Sequence, residues 1–218
     1  MLGFSDQLRD DNIENWTASK HHRFVDEIFR GAVTDDVMRH YLVQDYQFID
    51  RFVALIGAAI ATADRFTSRV RFSQFAAMIT SDENTYFLRA FDRLGVPQEQ
   101  RDAPVLTAPT RAFRELMAEA ARERSYAGCL AVLCVAEWLY LDWADRPAAP
   151  LPDDFLYAEW ITLHNNDGFR GFVAWLRGEL DRAGAAADEE SRLRAADLFR
   201  RAVACERDFF DHVYDSDR

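Results

Sequence analysis

Apolar residues recur along most of the chain at spacings of three and four positions, and no sustained two-residue alternation interrupts them. This periodicity is typical of amphipathic α-helices, because positions three or four apart share one helical face. Proline and glycine cluster in a few short segments, which mark the breaks between helices. The pattern predicts helices at residues 4–17, 20–30, 35–63, 66–80, 82–94, 109–123, 126–145, 153–165, 167–183 and 187–214.

The predicted helices belong to one all-α domain, since no repeat of fixed period and no low-complexity segment divides the 218 residues. A chain of this length can bury one sizeable core. Its 49% hydrophobic residues, which include 17 phenylalanines, exclude a disordered protein. We therefore expect a single-domain helical bundle over residues 1–218.

The charge and the cysteines argue against several kinds of partner. The net charge of −11 disfavours nucleic acid and anionic membranes, both of which need a basic surface. No signal peptide is visible, and the longest apolar run, Cys129 to Ala136, is shorter than the roughly 20 residues that span a bilayer. Three cysteines without a CxxC pair indicate neither a disulfide framework nor a zinc site. We expect a cytoplasmic protein.

Glu137 interrupts the segment from Gly128 to Trp143, in which almost every other side chain is apolar. A helix that is apolar nearly all round is a buried helix. A buried carboxylate costs several kcal/mol unless it is paired, hydrogen-bonded or protonated. Glu137 is therefore either held by a nearby arginine or used in chemistry.

Two further acids lie on the apolar faces of predicted helices. Asp45 shares its face with Val37, Tyr41, Phe48 and Phe52. Glu206 shares its face with Phe199, Ala202, Phe209 and Val213. If the three acids converge, burial and mutual repulsion would keep at least one protonated near neutral pH. Such a cluster supplies a general acid beside a general base, as hydrolysis requires, whereas separate acids would each need a structural partner.

Acid clusters in helical bundles also bind paired iron or manganese, usually through Glu-x-x-His pairs on facing helices. No Asp or Glu in this chain has a His three residues later, so we expect neither a metal nor a cofactor. The GxSxG, P-loop and GxGxxG signatures of acyl-transfer and nucleotide enzymes are also missing from the sequence.

Five segments resemble motifs of the TenA/thiaminase II family and follow one another in the family's order. They are HHRFVDEIFRGAVTDDVMRHYLVQDYQFIDRF (21–52), PTRAF (109–113), EWLY (137–140), WITLHNNDGF (160–169) and CERDFF (205–210). The resemblance covers nearly the whole chain. It implies a helical bundle of the heme oxygenase type, a homo-oligomer (dimer or tetramer) and a small-molecule partner, a pyrimidine related to the thiamin precursor.

The resemblance also implies roles for individual residues. Asp45 matches the family's Asp, which holds the ring nitrogen and the exocyclic amine of the pyrimidine. Glu206 matches a Glu that serves in proton transfer, and Tyr140 matches a Tyr that hydrogen-bonds within the site. The aromatic positions of the family site correspond to Phe48, Phe113 and Phe209.

The chain departs from the cysteine-bearing members of the family. Their nucleophilic Cys precedes the Trp of the WLY motif by two residues, and Ala136 stands there in this chain. Cys134 lies about 200° round the helix from that position and cannot replace the thiol. Glu137 resembles the branch often called TenA-E, in which a Glu replaces the function of the Cys. Phe48 and His164, at positions where those members have Tyr, agree with an altered pocket.

This branch implies a cofactor-free hydrolase of thiamin salvage, which converts an aminomethyl- or formylaminomethyl-pyrimidine to the hydroxymethyl-pyrimidine. Asp45 would bind the pyrimidine edge, and Glu137 would activate water or add transiently as a nucleophile. Glu206, kept protonated by burial, would protonate the departing amine. The ring would lie among the aromatic side chains, with His164 in the wall, behind it or at the surface.

Three alternatives stay open. The same bundle can carry a different chemistry, such as that of an oxidase. The protein can instead bind a pyrimidine without turnover, as a regulatory protein would. The third alternative is thiamin cleavage by a thiolate, and Ala136 argues against it.

Overall fold

The computed structural model describes residues 2–146 and 150–217, and within them the chain is all-α. Its helices are α1 (Phe4–Asp11), α2 (Ile13–Lys20), α3 (Arg23–Phe29), α4 (Asp35–Tyr46), α5 (Phe48–Thr62), α6 (Phe66–Met78), α7 (Asn84–Leu94), α8 (Gln98–Asp102), α9 (Ala108–Glu123), α10 (Tyr126–Ala144), α11 (Phe155–Leu163), α12 (Asp167–Ala186) and α13 (Glu189–Asp211). A π-helical turn, Ile79–Glu83, joins α6 to α7, and a 3₁₀ turn, His212–Asp217, follows α13. The single-domain helical bundle is confirmed. Its predicted extent over residues 1–218 includes positions outside the described residues and stays a prediction.

Two of the predicted helices are each divided in the structure. The helix predicted at 4–17 is broken at Asn12, whose side-chain amide donates to a carbonyl of α1 at 2.8 Å and ends that helix. The helix predicted at 35–63 is broken at Gln47, whose carbonyl accepts a hydrogen bond from the Arg114 guanidinium. A side chain that occupies a helical carbonyl removes the acceptor that the next turn needs. Side-chain contacts of this kind are not visible in apolar periodicity.

The helices predicted at 66–80 and 82–94 are continuous through the π-helical turn, and the short α8 was not predicted. A π-helical turn holds an extra residue within the helix, so it changes the phase of the apolar stripe. Because α6, this turn and α7 are continuous, the prediction of two separate helices was wrong at the junction that carries Glu83.

Helix α10 lies at the centre of the bundle and packs against α2, α5, α9, α12 and α13. It is long and apolar enough to cross a membrane by composition alone, yet 83% of it is buried inside the bundle. Ser125 caps its first turn, because the Ser125 hydroxyl accepts from the Gly128 amide at 3.2 Å. Such a cap stabilises a helix by about 1 kcal/mol.

Gly128 sets the distance between α10 and α13. A Cβ at this position would lie 3.0 Å from a methyl group of Leu198 on α13, which is tighter than ordinary packing. The missing side chain therefore lets the two helices approach closely. This contact holds together the helix that carries Glu137 and the helix that carries Glu206.

Candidate active site

A cavity lies where α4, α5, α9, α10 and α13 meet the π-helical turn and the end of α11. Its volume is about 80 Å³, several times the roughly 10–15 Å³ that one ordered water requires. The cavity can therefore admit a small molecule. Its lining residues are Asp45, Phe48, Ile49, Phe52, Ile79, Glu83, Phe113, Met117, Ala136, Glu137, Tyr140, Trp160, His164 and Glu206.

Four carboxyl groups line this cavity, and among the described residues no lysine or arginine does. Three of them are the acids that the apolar stripes predict, and the structure brings Asp45, Glu137 and Glu206 to one site. The fourth, Glu83, was not predicted. We refer to the four as the cavity acids.

The cavity acids have almost no protein partners. Among the side chains that the structure describes, no arginine, lysine or histidine forms an ion pair with any of them. Their one hydrogen bond is a long contact of 3.5 Å, from the Tyr140 hydroxyl to Asp45 Oδ1. The structural explanation for Glu137, a neighbouring arginine, does not apply.

Burial raises the pKa of these acids, because an enclosed carboxylate loses its hydration. The pKa of Glu137 lies well above its ordinary range through burial, and the charges of Glu83 and Glu206 raise it further. Burial and the charge of Glu83 have the same effect on the pKa of Asp45. The pKa of Glu206 is raised well above its ordinary range by burial and by the charge of Asp45. The site therefore holds protons at neutral pH and can offer an acid beside a base.

Two tyrosines connect Asp45 to the core. The hydroxyls of Tyr41 and Tyr140 lie 3.0 Å apart, and Tyr140 in turn donates to Asp45. If Tyr140 donates to the carboxyl, then Tyr41 must be the donor between the two phenols. This chain orients the Asp45 carboxyl at one end of the cavity.

His164 lines the cavity and is neutral. Its Nδ1 lies 2.7 Å from the Trp160 carbonyl, and a carbonyl only accepts, so Nδ1 carries the ring proton. Burial lowers the pKa of His164 to about 4. The other ring nitrogen, Nε2, is left as an acceptor. Of the three positions that the sequence left open for His164, the structure gives the cavity wall.

Aromatic side chains form much of the remaining wall. Phe48 and Phe113 meet edge to face with ring centroids 5.3 Å apart. Phe209, expected to touch the substrate, instead lies behind Phe48 at 5.0 Å and is outside the cavity lining. Trp160, which was not predicted, lines the cavity, and its indole N–H has no partner among the described residues.

Glu83 had a detectable signal in the sequence. Phe75, Ile79, Glu83 and Phe87 follow one another at spacings of four, and the three apolar members are buried. The same pattern singled out Asp45 and Glu206. At Glu83 this pattern crosses the predicted break between the helix that ends at residue 80 and the helix that begins at residue 82.

A methyl group occupies the position at which the cysteine-bearing members of the family carry their nucleophilic Cys. Ala136 lines the cavity directly beside Glu137. Cys134 is fully buried away from the cavity, and burial raises the pKa of its thiol. A thiol with a raised pKa and no access to the cavity cannot serve as a nucleophile there.

The four acids surround the cavity without meeting at one point. Of the His, Cys, Asp and Glu side chains that the structure describes, no three are placed to share a metal ion. The donor geometry that an oxidase with a bound metal pair would require is not found among these side chains.

Comparison with known proteins identifies relatives along the whole chain. The profile of the TENA/THI-4/PQQC family matches residues 10–216. An aminopyrimidine aminohydrolase from Halalkalibacterium halodurans is 23% identical over 203 residues, which cover 91% of this chain and 90% of that protein. An aminopyrimidine aminohydrolase from Bacillus subtilis is 23% identical over 98% of this chain and 90% of its own.

Solved structures share the fold. A TenA family transcription regulator from Silicibacter sp. TM1040 superposes with a TM-score of 0.85 at 21% identity, over 95% of each chain. Heme oxygenase-1 from the cyanobacterium Synechocystis sp. PCC6803 gives a TM-score of 0.56 at 11% identity, over 99% of this chain and 94% of its own. The expected heme oxygenase-like fold is confirmed. With its profile match from residue 10 to residue 216, the chain belongs to the TENA/THI-4/PQQC family.

Proposed function

We propose that this protein is a C–N hydrolase of thiamin salvage that converts an aminomethyl- or formylaminomethyl-4-amino-2-methylpyrimidine to the hydroxymethyl-pyrimidine. The observation that carries the proposal is the cavity itself, in which four acids without an ion-pair partner among the described residues face one space between aromatic walls. Family members named aminopyrimidine aminohydrolase support it. The reaction uses water and the chain's own residues, with no cofactor.

Asp45 binds the pyrimidine edge. A 4-aminopyrimidine presents a ring nitrogen and an amine side by side, and a protonated carboxyl can donate to the first while it accepts from the second. The raised pKa of Asp45 keeps that proton available. Proton donation to the ring nitrogen draws electrons from the ring and makes the methylene carbon more electrophilic toward the attacking group.

Glu137 and Glu206 act on the two sides of the breaking bond. Glu137 removes a proton from the attacking water, or adds to the methylene carbon before water replaces it. Glu206, protonated because it is only 2% exposed, donates its proton to the departing amine. Phe48, Phe113 and Tyr140 line the space that the flat ring fills.

We assign the chain to the branch of the family without the catalytic cysteine. The support is Ala136 in the cavity wall beside Glu137, and the burial of Cys134 elsewhere. The Glu137 carboxyl, in place of a thiol, favours water as the attacking group. The assignment predicts no thiolate-dependent cleavage of thiamin itself.

The exposed surface of α6 supports the homo-oligomer, a dimer or tetramer, that the resemblance implies. Phe66 is 75% exposed, and Val70 and Met78 on the same helix are each 38% exposed. Several exposed apolar side chains on one element favour a contact surface. A single-chain mass in sedimentation equilibrium would contradict this part of the proposal. We also propose that the enzyme is cytoplasmic. Finding the protein outside the cell or attached to a membrane would contradict this location.

The proposed hydrolysis is tested with the aminomethyl-pyrimidine in ¹⁸O-labelled water. We expect ammonia and the hydroxymethyl-pyrimidine in equal amounts, with one ¹⁸O atom in the product. Tight binding without ammonia would instead support a pyrimidine-binding or regulatory protein. Release of a product without ¹⁸O would exclude hydrolysis.

A further inference from the structure

Glu83 is the last residue of the π-helical turn between α6 and α7, and it lines the cavity together with Ile79 at the start of that turn. Single π-helical turns within α-helices occur frequently at functional sites. The next residue, Asn84, is tied to α4, because the Tyr46 hydroxyl donates to Asn84 Oδ1 at 3.0 Å. Tyr46 directly follows Asp45 in the chain. This hydrogen bond therefore fixes the position of Glu83 relative to Asp45.

Glu83 has no group nearby that would neutralise it. In the described part of the chain it forms no ion pair and no hydrogen bond, although its side chain is mostly covered. The titratable groups that line the cavity with it are Asp45, Glu137, Tyr140, His164 and Glu206, beside apolar side chains of α5 and α9. An acid among other acids, without a cation, repels their charged forms.

We propose that Glu83 is a catalytic residue of this hydrolysis, and that Glu83 and Glu137 together hold one proton and bind the attacking water between them. The inference rests on the proposed function and adds a residue to its mechanism. Asp45 has the Tyr140 hydroxyl as a neighbour, whereas Glu83 and Glu137 have no hydrogen-bond or ion-pair partner in the part of the chain that the structure describes, so each can hydrogen-bond to a water. Burial raises the pKa of Glu83 to about 7, which supports its ionised form as the base.

In the proposed hydrolysis, water replaces the amine at the methylene carbon. The water oxygen forms a bond to the methylene carbon while one of its protons passes to the carboxylate of the pair. The bond between the methylene carbon and the amine nitrogen breaks, and its electrons leave with the nitrogen. Glu206 donates a proton to that nitrogen. After ammonia departs, the pair has gained one proton and Glu206 has lost one, and transfer between them restores the starting state.

Glu83→Gln tests the pair, because it keeps the shape of the side chain and removes the charge. We expect kcat for the aminomethyl-pyrimidine to fall by about 10²- to 10⁴-fold, with little change in KM. The repulsion on Glu137 is also removed, so the acid limb of the residual pH–kcat profile should move to lower pH. A residue whose charge does not act on Glu137 would leave that limb in place, and one without a part in the reaction would leave kcat unchanged. Glu115→Gln, an exposed acid on α9 between two residues of the lining, is the control and should match the wild type.

The outcomes separate this inference from the function on which it rests. Wild-type protein that binds the pyrimidine without releasing ammonia would overturn the hydrolysis, and the role of Glu83 with it. Wild-type turnover beside an equally active Glu83→Gln with an unmoved acid limb would overturn the role of Glu83 alone. If Glu83→Gln does not fold, Glu83→Asp decides. Reduced kcat with the acid limb retained supports the pair, and unchanged kcat contradicts it.

Discussion

Two regions of the bundle bury a glutamate to a similar extent, but only one of them surrounds it with hydrogen-bond donors. Glu179 on α12 is 7% exposed, and Glu137 on α10 is 9% exposed. Glu179 accepts hydrogen bonds from Tyr126 at 2.7 Å, Ser68 at 2.9 Å and Arg182 at 2.8 Å. Glu137 has no such partner among the described side chains. Equal burial therefore says little about what a buried acid does.

The partners decide the protonation state. Burial alone would raise the pKa of Glu179, but the hydrogen bonds from Arg182, Tyr126 and Ser68 hold it below its ordinary value. Burial raises the pKa of Glu137 with nothing to oppose it, and neighbouring acids add to the effect. Glu179 is thus a fixed anion that joins three helices, while Glu137 has no such partner and can exchange a proton during the reaction. We call Glu179 and its partners the Glu179 cluster.

The largest effect on stability should come from breaking the Glu179 cluster. Arg182→Met removes the cation that pairs with Glu179 and also with Asp64 at 2.8 Å. We expect unfolding free energy to fall by roughly 2–3 kcal/mol, below the 3–5 kcal/mol of fully buried pairs because Arg182 is partly exposed. Urea unfolding of wild type and Arg182→Met measures this loss of unfolding free energy. Activity per folded molecule should not change, and a loss of kcat in folded protein would contradict the contrast between the two regions.

The pH dependence of stability should have opposite signs in the two regions. The folded pKa of Glu83, about 7, lies above its ordinary value of 4.5. The contribution of Glu83 to the free energy of unfolding is therefore fully present below about pH 4.5 and is lost as the pH rises through 7. The pKa of Glu179 is lowered, so its contribution is present above pH 4.5 and is lost in acid.

Glu83→Gln removes the first of these slopes, together with the part of the Glu137 and Asp45 pKa shifts that the Glu83 charge causes. Relative to wild type, it should be more stable at pH 8 than at pH 4.5 by roughly 1–3 kcal/mol. Because only the difference between two proteins is used, the titration of His164 cancels. Urea unfolding of both proteins at both pH values measures this difference in unfolding free energy. The same difference between variant and wild type at pH 4.5 and pH 8 would show that the pKa of Glu83 is not raised.

Much of the fold could be predicted from the sequence, because helical periodicity and N-terminal caps are local. The site was predicted in part. Apolar stripes pointed to Asp45, Glu137 and Glu206, and the structure brings them to one cavity. The stripe through Glu83 was equally visible but was cut by a wrong helix boundary at the π-helical turn.

Other features of the site depend on contacts between distant segments. Phe209 lies on the same stripe as Glu206, yet its ring packs against Phe48 of α5, and Phe48 lines the cavity while Phe209 does not. Glu179 shows the deeper limit. It is as well buried as Asp45 and Glu137, and its partners come from α6, α10 and its own helix. Whether a buried acid has a cation beside it depends on this packing, and no local pattern records it.

In this protein the unpartnered acid of α10 serves chemistry and the partnered acid of α12 serves stability. The rate of ammonia release from the aminomethyl-pyrimidine by Glu137→Gln, at equal concentrations of folded protein, tests this division. We predict that kcat falls by about 10²- to 10⁴-fold while the unfolding free energy stays at or above the wild-type value. A variant that keeps full kcat, or one that loses both stability and pyrimidine binding, would contradict the account.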